Sequence, residues 1–445
     1  MRVEARPIKG GARVAFASII PRQPKMPETA DLLVLDASEL ATCAGPAPRR
    51  GAALADAGLV RRGAVAVKEG KVVAVGPTDE IASRFRASET IDARGRLVTP
   101  GLVDSHTHAI FAGSREEEFE LRALGTAYME IARRGGGILS SVRAFRAASE
   151  ESLEASTRAR LDAFLRAGTT TVEVKSGYGL DLESELKALA VVARLANSHP
   201  IGVVTTFMGA HEFPPEYRER RAEYVALVAN EMIPAVKRAG TAEYCDVFCE
   251  KGVFEVAETR TILEAARRHG LGLKVHAEEF ECIGGAVLAA EMGAASADHL
   301  GAIDAKGVAA LAASKTVAVL LPGTAFFLDL PKWAPARALI DAGAAVALAT
   351  DFNPGSCFTE SLPMILTLAV VRLKMRPSEA LVAATVNAAC AIGREREVGS
   401  LEPGKKADIV VWDVPNHRYL PYHFGAPRAA VVVKSGIVVH TSENA

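Results

Sequence analysis

Disulfide frameworks, membrane spans and a strong charge of one sign are all missing from this chain. Six cysteines are scattered over 445 residues, at positions 43, 245, 249, 282, 357 and 390. Only Cys245 and Cys249 lie close together, and no second pair completes a zinc knuckle. Reduced thiols in a cytoplasmic protein are the simplest reading. Lys and Arg number 52 against 53 Asp and Glu, and a net charge of −1 gives no electrostatic case for nucleic acid or a membrane surface as partner. No apolar run approaches the ~18 residues of a membrane span. Aromatic residues are few, at 6%, while 49% of residues are hydrophobic, a balance typical of an Ala-, Val- and Leu-rich α/β enzyme. The basic N-terminus (Arg2, Arg6, Lys9, Arg13) precedes a short apolar stretch, Val14 to Ile20, with no convincing cleavage site before Pro21. Residues 1–30 therefore read as a poorly ordered extension.

What is present is a βα rhythm. Apolar strand candidates at Thr170–Val174, Ile201–Phe207, Tyr244–Phe248, Leu271–Val275, Ala295–Asp298, Thr316–Leu320 and Ala345–Ala349 alternate with amphipathic runs such as Glu183–Ala196 and Ala257–His269. With Leu97–Val103 they make eight, which fits a closed (β/α)8 TIM-like barrel over 96–395. Short strands and turns at 31–95 and 396–445 suggest one small β-sandwich domain built from both chain ends, with Gly70 in the hairpin turn Lys68-Glu69-Gly70-Lys71.

The residues that follow the strands carry the chemistry. Leu97–Val103 runs into Asp104-Ser105-His106-Thr107-His108, and the period of two aims His106 and His108 the same way. His276 follows Leu271–Val275, His299 follows Ala295–Asp298, and Asp351 follows Ala345–Ala349. Four of ten histidines and one aspartate thus fall at strand ends, where such barrels place active groups. Each has a duller reading: a core histidine, or for Asp351 a cap on the turn Asp351-Phe352-Asn353-Pro354-Gly355. Of Glu278 and Glu279, one is expected to be solvated. Three neutral imidazoles and a carboxylate suit Zn²⁺ or iron, and a carboxylate beside such an ion can also take a proton from water, a set suited to hydrolysis.

At this point the chain resembles the metal-dependent amidohydrolase superfamily, most closely its imidazolonepropionase family. The broad likeness rests on Pro-Gly-Leu-Val-Asp-Ser-His-Thr-His at 100–108, His276, His299, Asp351 and the segment Leu401 to Asp408. The denser likeness rests on Ser114 to Phe119, Arg134 to Ile138, Glu173 to Leu180, Phe207 to Glu212, His276 to Phe280 and Asp351 to Ser356. Together these cover essentially residues 60–440.

The resemblance implies one Zn²⁺ or Fe³⁺ per chain, held by His106, His108, His276 and Asp351. A metal-bridging lysine of the fourth strand has no counterpart, since Lys251 lies outside the pattern. The resemblance also implies ring opening of the cyclic amide 4-imidazolone-5-propanoate, with Arg115, Tyr178, His211, Asn353, Gly355 and Ser356 contacting substrate. Glu279, His299 and Asp351 would act on the reacting ring, and a homodimer is common among relatives. Arg115 suits the propionate, because guanidinium grips carboxylate through paired hydrogen bonds; an ion pair within Arg115 to Glu118 is the alternative. The turn after Asp351 offers amide and backbone donors. Cys357-Phe358 departs from the expected pattern, and residues 1–30 have no counterpart. Two rival functions are a purine or pyrimidine deaminase, because His276-x-x-Glu279 also suits ring-nitrogen protonation, and an inactive binding relative, which would have lost ligands.

Overall fold

A computed structural model describes residues 27–126, 130, 136–426 and 428–443. The expected N-terminal extension lies outside the described residues up to position 26, and so do Arg134 and Gly135 of the glycine-rich motif. From Glu28 onward the chain is already in a strand, so its last few residues belong to the sheet.

Eight strands build the first sheet: β1 (Glu28–Ala41), β2 (Leu59–Lys68), β3 (Lys71–Pro77), β4 (Phe85–Asp92) and β5 (Leu97–Pro100), with β14 (Ile409–Trp412), β15 (Ala429–Lys434) and β16 (Ile437–Thr441) from the far end of the chain. Their order is β16-β15-β14-β5-β1-β2-β3, with β4 against β1. The β2–β3 hairpin turns on Glu69 and Gly70, both at positive φ (51° and 73°), the mirror-image turn that matches strand twist. Alternate residues of these strands, including Leu32, Val34, Val65, Val67, Ile409 and Val433, meet in a core of their own.

The second sheet is parallel and in sequence order: β6 (Leu102–Thr107), β7 (Thr169–Lys175), β8 (Gly202–Ala210), β9 (Tyr244–Cys249), β10 (Gly272–Ala277), β11 (Ser296–His299), β12 (Val317–Leu320) and β13 (Ala345–Leu348). Helices between them, such as Leu182–Ser198 and Val256–Arg268, bury one face each on the outside of this TIM-like barrel. The barrel is nearly closed. Between β13 and β6 the seam is stitched just past the ladder, where Thr107 bridges Phe352 and the Thr350 hydroxyl donates to Asp104 at 2.6 Å.

One expected strand is two. Leu97–Val103 breaks at Gly101: β5 pairs with β1 and β14 in the terminal sheet, and the chain enters the barrel only at Leu102. Both halves are apolar and buried, so composition could not separate them. A side chain at 101 would collide with Thr170, which explains glycine at the crossing. Among the described residues no helix is long and apolar enough to cross a membrane, and the six thiols are unpaired.

Candidate metal centre and substrate cleft

The barrel brings His106, His108, His276 and Asp351 together at one end. Nε2 of His276 and Nε2 of His108 lie 3.3 Å apart. Asp351 Oδ1 is 3.5 Å from Nε2 of both His106 and His108. Each imidazole is buried, and His106 Nε2 is a buried polar atom without a hydrogen-bond partner. Burial, reinforced for His106 by the Lys175 charge and for His108 by His211, holds both rings well below the usual histidine pKa. They are therefore neutral, with lone pairs to offer. Convergent neutral nitrogens, an orphaned Nε2 and one carboxylate fit a metal cation.

Their orientation comes from a layer beneath. Asp298 Oδ2 meets His106 Nδ1 at 2.6 Å, and Asp246 Oδ1 meets His276 Nδ1 at 3.0 Å. Carboxylates on Nδ1 select the tautomer that leaves Nε2 unprotonated. Lys175 lies among these groups, 2.8 Å from Asp246 Oδ2, 2.8 Å from Glu173 Oε1 and 3.9 Å from Asp298 Oδ2. Burial alone would depress its ammonium, but the carboxylates of Asp246, Glu173 and Asp298 outweigh burial and hold it above the ordinary lysine pKa. Lys274 also lies 3.9 Å from Asp298 Oδ2 and donates to the carbonyls of Ser105 and Ala391. None of these five charged residues was given a role from sequence, although Glu173 and Lys175 open the motif Glu173 to Leu180. The available signal was charge inside apolar strands: Glu-Val-Lys at 173–175, Asp246 between Cys245 and Val247, Lys274 and Asp298.

His299 and Glu279 flank the set, with His299 Nε2 3.6 Å from Glu279 Oε2. Burial, then the Asp351 and Glu250 charges, push the Glu279 carboxyl well above the usual carboxylate range, favouring its protonated form. Burial also raises Asp351, to about 6, against the pull of a hydrogen bond from Thr324 at 2.6 Å. His299 (φ 76°), Asp351 (φ 55°) and Glu278 (φ 52°) all occupy the left-handed region that side chains disfavour, a concentration of strain at the site. The expectation that one of Glu278 and Glu279 is solvated does not hold. Glu278 is buried and accepts from the N–H groups of Gly284 and Ala286, at the start of the next helix.

A cleft opens over these groups, and all six residues expected to contact substrate line it: Arg115, Tyr178, His211, Asn353, Gly355 and Ser356. His211, just past β8, stacks on His108 at 4.8 Å and is fixed through Nδ1 to the Gly177 carbonyl at 3.0 Å. Tyr178 sits in a loop held by the buried Glu185 carboxylate, which accepts from the N–H groups of Gly177, Gly179 and Leu180. Arg115 is oriented by Glu118 at 2.7 Å, so the intrachain ion pair exists, yet the arginine side chain is only 9% exposed and faces the cleft. Its guanidinium lies directly over Gly355, where any side chain would collide with it. The turn behaves differently from expectation in one respect. Asn353 Oδ1 accepts from the N–H groups of both Gly355 and Ser356, so those donors are used inside the turn, and Asn353 rather than Asp351 is its cap.

The amidohydrolase family model matches residues 97–441, and a model of the bacterial imidazolonepropionase-like composite domain matches residues 63–87. Imidazolonepropionase of Symbiobacterium thermophilum is 55% identical over 416 residues, covering 92% of this chain and 97% of its own length. That of Geobacillus kaustophilus is 52% identical over 414 residues, with coverage of 92% and 97%. The chain belongs to the imidazolonepropionase family of the amidohydrolases. Solved structures of the same fold include an adenosine deaminase of Xanthomonas campestris with bound zinc (TM-score 0.71, 20% identity, 94% of each chain). A 5-methylcytosine deaminase of Klebsiella pneumoniae is similarly close (TM-score 0.70, 18% identity, 92% of this chain and 98% of that one). At such identities the likeness is one of architecture. The family assignment makes the chain a metal-dependent hydrolase, and it does not favour the deaminase or inactive-relative readings.

Proposed function

We propose that this protein hydrolyses the cyclic amide of 4-imidazolone-5-propanoate to N-formimidoyl-L-glutamate, a step of histidine degradation. The observation that carries the reading is a single cleft containing a carboxylate-gripping arginine, Arg115, together with His108, His276 and Asp351 of the metal-ligand set. A propionate held by Arg115, with Tyr178 and His211 lining the same cleft, would set the ring against Glu279 and His299.

One Zn²⁺ or Fe³⁺ per chain, held by His106, His108, His276 and Asp351, would supply Lewis acidity towards water and the ring carbonyl. The side chains do the rest. Asp351 accepts the proton of the attacking water. His299 lies where the carbonyl oxygen gains charge and stabilises it. Glu279, protonated by virtue of its burial, gives its proton to the leaving ring nitrogen as the C–N bond breaks. The same reading places the enzyme in the cytoplasm as a homodimer, which sedimentation equilibrium tests for its oligomeric part.

The deciding assay incubates purified, metal-loaded protein with 4-imidazolone-5-propanoate and follows N-formimidoyl-L-glutamate, with guanine and cytosine as parallel substrates. Ring opening without ammonia release from the bases is expected. Ammonia release from either base with no ring opening contradicts the reading.

A further inference from the structure

We infer that Lys175 is a positioning residue for the metal centre, tying together the two carboxylates that orient ligand histidines on different strands. Asp246 on β9 uses Oδ1 for His276 and Oδ2 for Lys175. Asp298 on β11 meets His106 through Oδ2, the oxygen also nearest Lys175. One ammonium on β7 thus stands behind His106 on β6 and His276 on β10, and its side chain is completely buried. Its hydrogen bonds go to the carboxylates of Glu173 and Asp246. Its reach is through the aspartates, whose charges would repel one another in a site without water to screen them. Glu173, the third carboxylate on Lys175, also supports Thr107, between His106 of β6 and His108 just past it, because its carbonyl accepts from the Thr107 hydroxyl at 2.7 Å. The ammonium has three N–H donors and faces three carboxylates, with Glu173 and Asp246 at hydrogen-bond distance and Asp298 at 3.9 Å.

The inference rests on the reading of His106, His108, His276 and Asp351 as metal ligands, and its test separates the two. Three variants are prepared: Lys175→Met, Lys175→Arg, and Lys175→Met combined with Glu173→Gln, which removes one charge of each sign. Chelator competition gives the zinc dissociation constant of each, and melting of metal-free and zinc-loaded protein gives the rise that zinc produces. Loss of an outer partner of a metal ligand weakens binding by about 10–100-fold. Both Met variants are expected in that range, with a smaller zinc-induced rise in Tm, and Arg between them and the wild type. A purely structural lysine would lower both melting temperatures equally and leave zinc affinity alone. Any folded variant with wild-type zinc affinity overturns the inference, and Lys175→Arg decides if the Met variants do not fold. Wild-type protein that takes up no stoichiometric zinc or iron sinks the metal-centre reading instead.

Discussion

The backbone N–H of Asp351 donates to the carbonyl of His106 at 3.0 Å, while the side chains of the same two residues stand 3.5 Å apart. His106 belongs to the first barrel strand and Asp351 follows the last. The seam of the barrel therefore runs through the metal-ligand set, and a cation held there would join the two edges.

Metal removal should accordingly loosen the barrel as well as silence it. Exhaustive chelation is expected to abolish turnover and lower Tm, with both restored by zinc or iron. Linkage supplies about 2.7 kcal/mol when free metal is at one hundred times its dissociation constant. Calorimetry of stripped and reloaded protein measures this; identical melting curves would separate the cation from the seam.

Asp351→Asn keeps the shape and an acceptor for Thr324 but loses the proton-accepting carboxylate. Turnover should fall by roughly 10³-fold or more, within the range of lost general-base catalysis, while circular dichroism stays unchanged. Near-normal kcat in this variant contradicts the assignment of Asp351.

Arg115→Met should act on capture. Removing a hydrogen-bonded charge partner costs about 1.5–3 kcal/mol, or about 10–150-fold, and the loss should appear in KM with kcat little altered. Gly355→Ala offers a milder route to the same result, because its new methyl would displace the Arg115 guanidinium. A rise in kcat defects without a change in KM for either variant would place Arg115 elsewhere in the reaction.

Glu279 gives the pH prediction. Burial and nearby carboxylates raise its pKa well above the ordinary value, so the acid form persists to higher pH than in a free carboxyl and activity is lost as pH rises through that elevated pKa. Glu279→Gln retains hydrogen bonding but has no proton to give. Its kcat should fall by about 10²–10⁴-fold, and the alkaline limb of the kcat profile should flatten. An unchanged alkaline limb would assign that ionisation to another group.

The eight-strand rhythm and the convergence of His106, His108, His276 and Asp351 at one barrel end were legible in sequence because both obey local rules. A buried strand announces itself by composition, and a histidine at its end needs no knowledge of its neighbours. The strand register of His106 and His108 followed from the two-residue period alone. Lys175, Asp246 and Asp298 were not legible, since each means something only through distant partners: Asp246 lies 71 residues from Lys175 and 30 from His276, and Asp298 lies 192 from His106. The break at Gly101 was hidden for a different reason: two sheets of equal hydrophobicity share one apolar run, and only hydrogen-bond partners distinguish them. Glu278 was misjudged because the helix start that it caps lies beyond the motif.

The clasp of Leu97–Pro100 between β1 and β14 also has a bearing on how the protein is made. The segment carrying His106 and His108 leaves the ribosome early, yet its anchor is completed only when residues 409–412 have been synthesised. Translation must therefore reach residues 409–412 before the first barrel strand is fastened at its base, and a nascent chain paused earlier would hold its two histidines on an unsecured stem.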